Sequence, residues 1–196
     1  MRLILASSSP RRAEILRDAG FAFDVAAADI DETPRPGERA HALVRRLAEA
    51  KARAVAARAG SDAIVLGADT EVVVDGEVFG KPADAADARR MLEKLSGRAH
   101  EVITGVALLR TRDGALREAI ESTQVTFATI TPQEIEAYVA SGEPLGKAGA
   151  YAVQGLGGRF VTRIEGCYFN VVGLPLARVY ALLRDLECGG WTPLSR

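Results

Sequence analysis

Residues 3–20 constrain the fold more than any other stretch. Four apolar residues, Leu3 to Ala6, meet three serines, Pro10 and two adjacent arginines, and a helical pattern then runs to Gly20. The apolar run reads as a short buried strand and Pro10 to Ala19 as a helix closed by Gly20. Pro10 suits the first helical turn, where its missing N–H leaves no bond unmade. Ser9 falls at the N-cap, where its hydroxyl can accept from the free amides. A strand that hands over so directly to a helix sets the theme for the chain.

The remaining segments alternate in the same way. Phe21 to Ala26 resembles a second strand and leads into the acidic, proline-bearing loop "DIDETPRPGE". An alanine-rich helix is predicted from Glu38 to Ala59, with Leu43, Leu47, Ala50 and Ala54 on one stripe. Ala63 to Leu66 is a second buried-strand run, and the Asp75-Gly76 pair in "VVVDGEVF" suits a hairpin turn. Asp84 to Leu95 reads as a helix capped by Asp84. Two or three antiparallel strands with a turn at Asp113-Gly114 follow. Thr131-Pro132 opens a helix ending near Gly142, a glycine-rich loop extends to Gly158, and Pro175 to Leu186 closes the chain as a helix. No repeat, low-complexity segment or long linker interrupts residues 1–196, which read as one mixed α/β domain.

Composition excludes several classes of function. A net charge of −1 lacks the bulk positive potential that nucleic-acid binding needs. Aromatics form 6% of the chain and are not interleaved with the basic residues, so a base-stacking platform for single strands is not built. Cys167 and Cys188 match no zinc spacing and do not make a secreted disulfide framework. The apolar start is shorter than a signal peptide's, and no stretch approaches a membrane span. The expectation is a cytoplasmic protein with no membrane and no nucleic-acid partner.

Chemistry concentrates in a few places. A helix N-terminus attracts anions, and Arg11 and Arg12 in that first turn would oppose the dipole unless a polyphosphate lay against them. Solvated helix residues are the competing reading. Asp69 in "LGADT" falls just past an apolar strand, where a carboxylate at the sheet's edge could act as a base or merely cap a turn. Asp29, Asp31 and Glu32 could help to hold Mg²⁺ with substrate phosphates, or form solvated surface. Lys51, Lys81 and Lys147 add positive charge. Gly80-Lys81 is too short for a P-loop, and "GLGG" at Gly155 to Gly158 fails the dinucleotide-binding pattern. His41 and His100 do not pair at metal-ligand spacing.

The ordered set "SSSPRR", "DIDET", "EAKA", "GADT", "GKP", "LSGRAHEVITG", "SGEPLGKAGAYAVQGLGG" and "NVVGLP" resembles the Maf family of nucleoside triphosphate pyrophosphatases, from Leu3 to about Leu186. Thr70 after the aspartate and Gln154 in the late loop resemble the branch acting on dTTP and UTP. The resemblance implies a long twisted sheet with flanking helices and a cleft between two lobes. It implies hydrolysis to the monophosphate and pyrophosphate, with Asp69 as proton acceptor and Glu32 and Asp69 on a divalent cation, Mg²⁺ or Mn²⁺. Ser9, Arg11, Lys51 and Lys81 would contact the triphosphate, while Arg12, Thr70 and Gln154 would bear on substrate choice. Glu71 stands where many relatives have an apolar residue. Non-standard nucleotides as substrates and a homodimer stay open. So does a nucleotide-binding regulator of cell division that has lost catalysis.

Overall fold

The computed structural model describes residues 1–187, so Cys188 lies outside the described residues. β1 (Arg2–Ala6) buries four of its five residues, as an unbroken apolar run requires. α1 (Pro10–Asp18) starts at Pro10, and Gly20 takes φ +79° just beyond its end. Ser9 occupies the N-cap position, but its hydroxyl makes no capping bond. Its own N–H donates to Ser7 Oγ at 3.1 Å. The expected Ser9 side-chain cap is therefore absent.

β2 (Phe23–Val25) pairs parallel to β1, and β1 pairs parallel to β3 (Ala63–Val74) with Leu5 beside Leu66 and Ala6 beside Gly67. Between β2 and β3 runs α2 (Ala40–Ala56), shorter at both ends than its alanine-rich pattern suggests. β3 turns at Asp75 and Gly76, both at positive φ, into the antiparallel β4 (Glu77–Phe79). That backbone is the two-residue hairpin for which an Asp-Gly pair is suited.

α3 (Ala85–Leu95) is capped by Asp84, which accepts from the Asp87 amide at 2.8 Å. β5 (Ala99–Arg110) and β6 (Leu116–Phe127) are joined through the turn at Asp113-Gly114. α4 (Pro132–Ala140) begins with a capping box between Thr131 and Glu134. Two 3-10 turns, Ala148–Ala150 and Leu156–Phe160, carry the glycine-rich loop into β7 (Val161–Glu165), α5 (Tyr168–Val172) and α6 (Leu176–Glu187). The strand order is β2-β1-β3-β5-β6-β7, with β4 on β3 and β7 antiparallel to β6. This is the expected mixed α/β fold.

The chain forms two compact units. Of the described residues, the first contains 1–69, 104–121 and 173–187. Its core includes Ile4, Ala6, Ala48, Ala52, Val65 and Ala107. Here α2 lies directly on sheet backbone. A Cβ on Gly67 would overlap the Ala48 carbonyl oxygen and come within 2.8 Å of the Ala52 nitrogen. One on Gly105 would come within 2.6 Å of the Val44 carbonyl carbon. Glycine at both places lets the helix approach without a cushion of side chains.

The second unit contains residues 70–103 and 122–172. Its core gathers Phe79, Leu92, Leu95, Phe127, Tyr138 and Phe160. α3 shows one buried stripe, Ala88, Met91, Leu92 and Leu95, at the spacing of a helix face.

Candidate active site

The close seat of α2 on β3 brings two oppositely charged residues together inside the first unit. Lys51 follows Ala48 by three positions, and Asp69 follows Gly67 by two along β3. Lys51 Nζ donates to Asp69 Oδ1 at 2.7 Å and lies 3.1 Å from Glu32 Oε2. Lys51 is 6% exposed and Asp69 5%, whereas the Glu32 side chain is 43% exposed. Glu32 reaches the pair from the acidic loop between β2 and α2. Asp69 is thus not beyond a strand end, as its sequence context suggested. It lies within the twelve residues of β3 and is buried. Strand pairing of β1 through Gly67 carries the extended backbone past the point where the apolar run stops.

Burying such a pair is a costly way to hold a fold together, since apolar residues of similar volume usually serve as well. One atom is moreover unsatisfied: Asp69 Oδ2 is buried and accepts no hydrogen bond. A buried carboxylate oxygen without a partner costs roughly 1–3 kcal/mol or more. It is a prepared acceptor for a proton, a donor or a cation.

Arg12 stands beside this cluster and is held by protein. Its Nε donates to the Gly173 carbonyl at 2.8 Å, and its Nη1 donates to the Ala68 carbonyl at 3.0 Å and Ser7 Oγ at 3.2 Å. Burial pushes the Arg12 guanidinium below its ordinary value, and the charge of Asp69 works in the other direction. It remains a cation, given how far above neutrality an arginine titrates. Arg11 is half-buried and close enough to act on Arg12 as a like charge. The reading of both arginines as solvated therefore fails for Arg12. Ser7, which accepts from Arg12 and from the Ser9 amide, had no signal in the sequence beyond its place in the serine run.

The donor set suits a hard divalent cation with protein ligands in the minority. Among the described residues, no group of three or more His, Cys, Asp or Glu side chains is arranged to hold a metal. Mg²⁺ typically takes one or two carboxylates and fills its remaining positions with water and substrate phosphates. The Asp69 carboxylate and the half-exposed Glu32 fit that pattern.

A family model for the Maf-like protein matches residues 2–186. The chain belongs to the Maf-like family. Relatives of the Maf-like chain include the dTTP/UTP pyrophosphatase of Anaeromyxobacter sp. (strain Fw109-5), 56% identical over 186 residues. That alignment covers 93% of this chain and 88% of the relative. The dTTP/UTP pyrophosphatase of Citrifermentans bemidjiense is 55% identical over 189 residues, covering 96% of this chain and 97% of the relative. Among solved structures, the Staphylococcus aureus Ham1 protein matches with a TM-score of 0.53 at 14% identity, over 95% of this chain and 100% of that one. That likeness concerns the fold.

Three further sequence-predicted site residues of this Maf-like chain, Thr70, Lys81 and Gln154, lie in the second unit, while Asp29 and Asp31 lie in the first. Thr70 follows Asp69 in β3 and is half-buried. Lys81 and Gln154 are exposed, Lys81 just after β4 and Gln154 in the glycine-rich loop. His100 is buried with its Nε2 2.9 Å from the Tyr151 hydroxyl, which accounts for it as a core residue. No described helix is long and apolar enough to cross a membrane.

Proposed function

We propose that this chain hydrolyses dTTP and UTP to the nucleoside monophosphate and pyrophosphate. The observation that carries the reading is Asp69: a buried carboxylate with one oxygen fixed by Lys51 and the other unpartnered. Relatives above half identity bear the name dTTP/UTP pyrophosphatase over most of their length.

In this reading Asp69 Oδ2 takes the proton from the water that attacks the α-phosphorus, while Lys51 holds the carboxylate's orientation through Oδ1. Arg11, in the first turn of α1, binds phosphate oxygens. Ser9 and Lys81 add further phosphate contacts, and Arg12 keeps α1 in place through its three bonds. Asp69 and Glu32 would hold the divalent cation, Mg²⁺ or Mn²⁺. When bound, that cation offsets phosphate charge and polarises the α-phosphate. Thr70 and Gln154 select the base. Uracil and thymine share an O4 acceptor and an N3–H donor, which one side-chain amide can match together, whereas cytosine reverses the pair. A cytoplasmic location, where a nucleoside triphosphate substrate would be met, is part of the same proposal.

Turnover of UTP, dTTP, CTP and GTP, with products followed by phosphorus NMR, tests the proposal. Pyrophosphate and monophosphate should form from UTP and dTTP, and excess chelator should stop the reaction. Asp69→Asn should fold and reduce kcat by about a hundredfold or more, the usual scale for loss of a general base. Inorganic phosphate as the first product, or an Asp69→Asn variant with unchanged kcat, would overturn it.

A further inference from the structure

The glycines from Gly155 to Gly158 do not match the dinucleotide-binding pattern, yet the backbone there leaves almost no room for side chains. A Cβ on Gly155 would lie 2.6 Å from Glu143 Cδ and 2.7 Å from Glu143 Oε1, and one on Gly157 would lie 2.5 Å from the Tyr138 hydroxyl oxygen. These glycines make way for two polar side chains of the protein itself. All three elements belong to the second unit.

The contacts made are specific. Glu143 Oε1 accepts from the Gly157 amide at 3.0 Å and from the Tyr138 hydroxyl at 2.8 Å, while Oε2 accepts from the Leu156 amide at 2.9 Å. The Tyr138 hydroxyl in turn accepts from the Ala152 amide at 3.2 Å. Tyr138 is fully buried at the end of α4. Burial works against ionising Glu143, but the Gly157, Leu156 and Tyr138 bonds outweigh it and hold its carboxyl below the ordinary range. The loop is thus gripped at residue 152 and again at residues 156–157. Gln154 is the exposed residue midway between the two grips.

We infer that Tyr138 and Glu143 are positioning residues which fix the loop carrying Gln154 and so set the enzyme's discrimination between uracil and cytosine. The inference rests on Gln154 reading the base, as proposed above. A hydrogen bond discriminates only while its donor and acceptor are held in register, and an exposed amide on a free loop could turn to suit either base. The grip supplies that register from outside the ligand's reach.

Glu143→Gln is the sharper perturbation. Its amide presents one oxygen and one NH₂ where the carboxylate presents two acceptors, so at least one of the Leu156 and Gly157 amides meets a donor. Tyr138→Phe removes the hydroxyl that links Glu143 to Ala152 and keeps the ring in the core. The experiment is a kcat/KM panel for UTP and CTP on wild type, Glu143→Gln, Tyr138→Phe, Gln154→Ala and the Glu143→Gln/Gln154→Ala double variant. Unfolding temperatures are recorded alongside.

Each positioning variant should narrow the UTP-to-CTP ratio at least about fivefold, chiefly through a higher KM for UTP, with CTP turnover kept within about twofold. A loss of folded enzyme would instead lower kcat for both nucleotides together and leave the ratio unchanged. In the Gln154→Ala background, Glu143→Gln should narrow the ratio no further, since both act through one contact. A ratio collapsed by Gln154→Ala but untouched by Glu143→Gln and Tyr138→Phe overturns the inference and leaves the reading of Gln154 intact. A ratio untouched by Gln154→Ala overturns that reading, and the inference with it.

Discussion

His100 is 2% exposed, with its Nδ1 buried and unpartnered and its ring edge-on to Phe127 and Tyr151 at 4.9 and 5.4 Å. Burial pushes it from 6.5 down to about 4. In the unfolded chain His100 takes up a proton as the pH falls through 6.5, while the folded chain resists until about 4. Its contribution is therefore complete above 6.5 and is lost as the pH falls through that window. The separation corresponds to about 3 kcal/mol by pH 4, and about 2 kcal/mol of that is gone by pH 5. Glu38 and Asp113, held down to about 2 by hydrogen bonds from Arg46 and Arg110, lose their contributions only below about 4.5. The other histidine, His41, is exposed. Urea unfolding of wild type and His100→Gln at about pH 7.5 and about pH 5.0 isolates the effect. The wild type should lose about 2 kcal/mol more than the variant between those conditions, whatever their absolute stabilities. Equal losses in the two proteins would refute the argument.

Lys51→Met leaves the Asp69 carboxylate buried without its partner and should cost about 3 kcal/mol in urea unfolding, at the low end for broken buried pairs because the other carboxylate that loses Lys51, Glu32, is exposed enough to be solvated by water; a cost under about 1 kcal/mol would show that the pair does not carry that charge balance. Arg12→Ala removes bonds to Ser7, Ala68 and Gly173 and should destabilise by about 2 kcal/mol or more, well outside the range of about 0.5 kcal/mol for a solvated residue. Gly67→Ala drives a methyl group into the Ala48 carbonyl and should lower stability by about 2–3 kcal/mol. It should also reduce UTP turnover in the fraction that remains folded, because Lys51 and Asp69 are pushed apart. Thermal unfolding and active-site titration measure the two effects separately.

Local chemistry was legible where local chemistry decides the backbone. Pro10 and Gly20 bracket α1, Asp84 and Thr131 cap their helices, and Asp75-Gly76 turns the β3–β4 hairpin, all as their residue types demand. Asp69 was misplaced because strand length is set by pairing with other strands, and "GAD" lacks the β-branched residues that mark a strand from within. Lys51 could be picked out by its family motif, but its choice of partners depends on Gly67 and Gly105, which are distant in sequence. Ser9 had the chemistry of a cap without its geometry, its hydroxyl making no bond to the helix amides. Tyr138 carries no motif, and Glu143 lies in the stretch "SGEPLGKAGAYAVQGLGG" with nothing local to mark its role, because the loop they hold lies up to nineteen residues further along, at Gly157.

The contact of α2 with Gly67 and Gly105 bears on exchange kinetics. Backbone packed on backbone has no side-chain rotamer to absorb a fluctuation, so amides from Ile64 to Ala68 and from Val44 to Ala52 should exchange with solvent only when the whole unit opens. Residues 31–37 are exposed throughout and belong to no helix or strand, so apart from the Thr33 and Arg35 amides, which donate to Asp31 and Glu38, their amides should exchange near the rate of a free chain. The two ends of the Lys51–Asp69 bond thus sit on the slowest-opening backbone of the first unit, and Glu32 on the fastest. A fast phase of deuterium uptake that slows on adding nucleotide will therefore report on the segment around Glu32, while Lys51 and Asp69 stay locked.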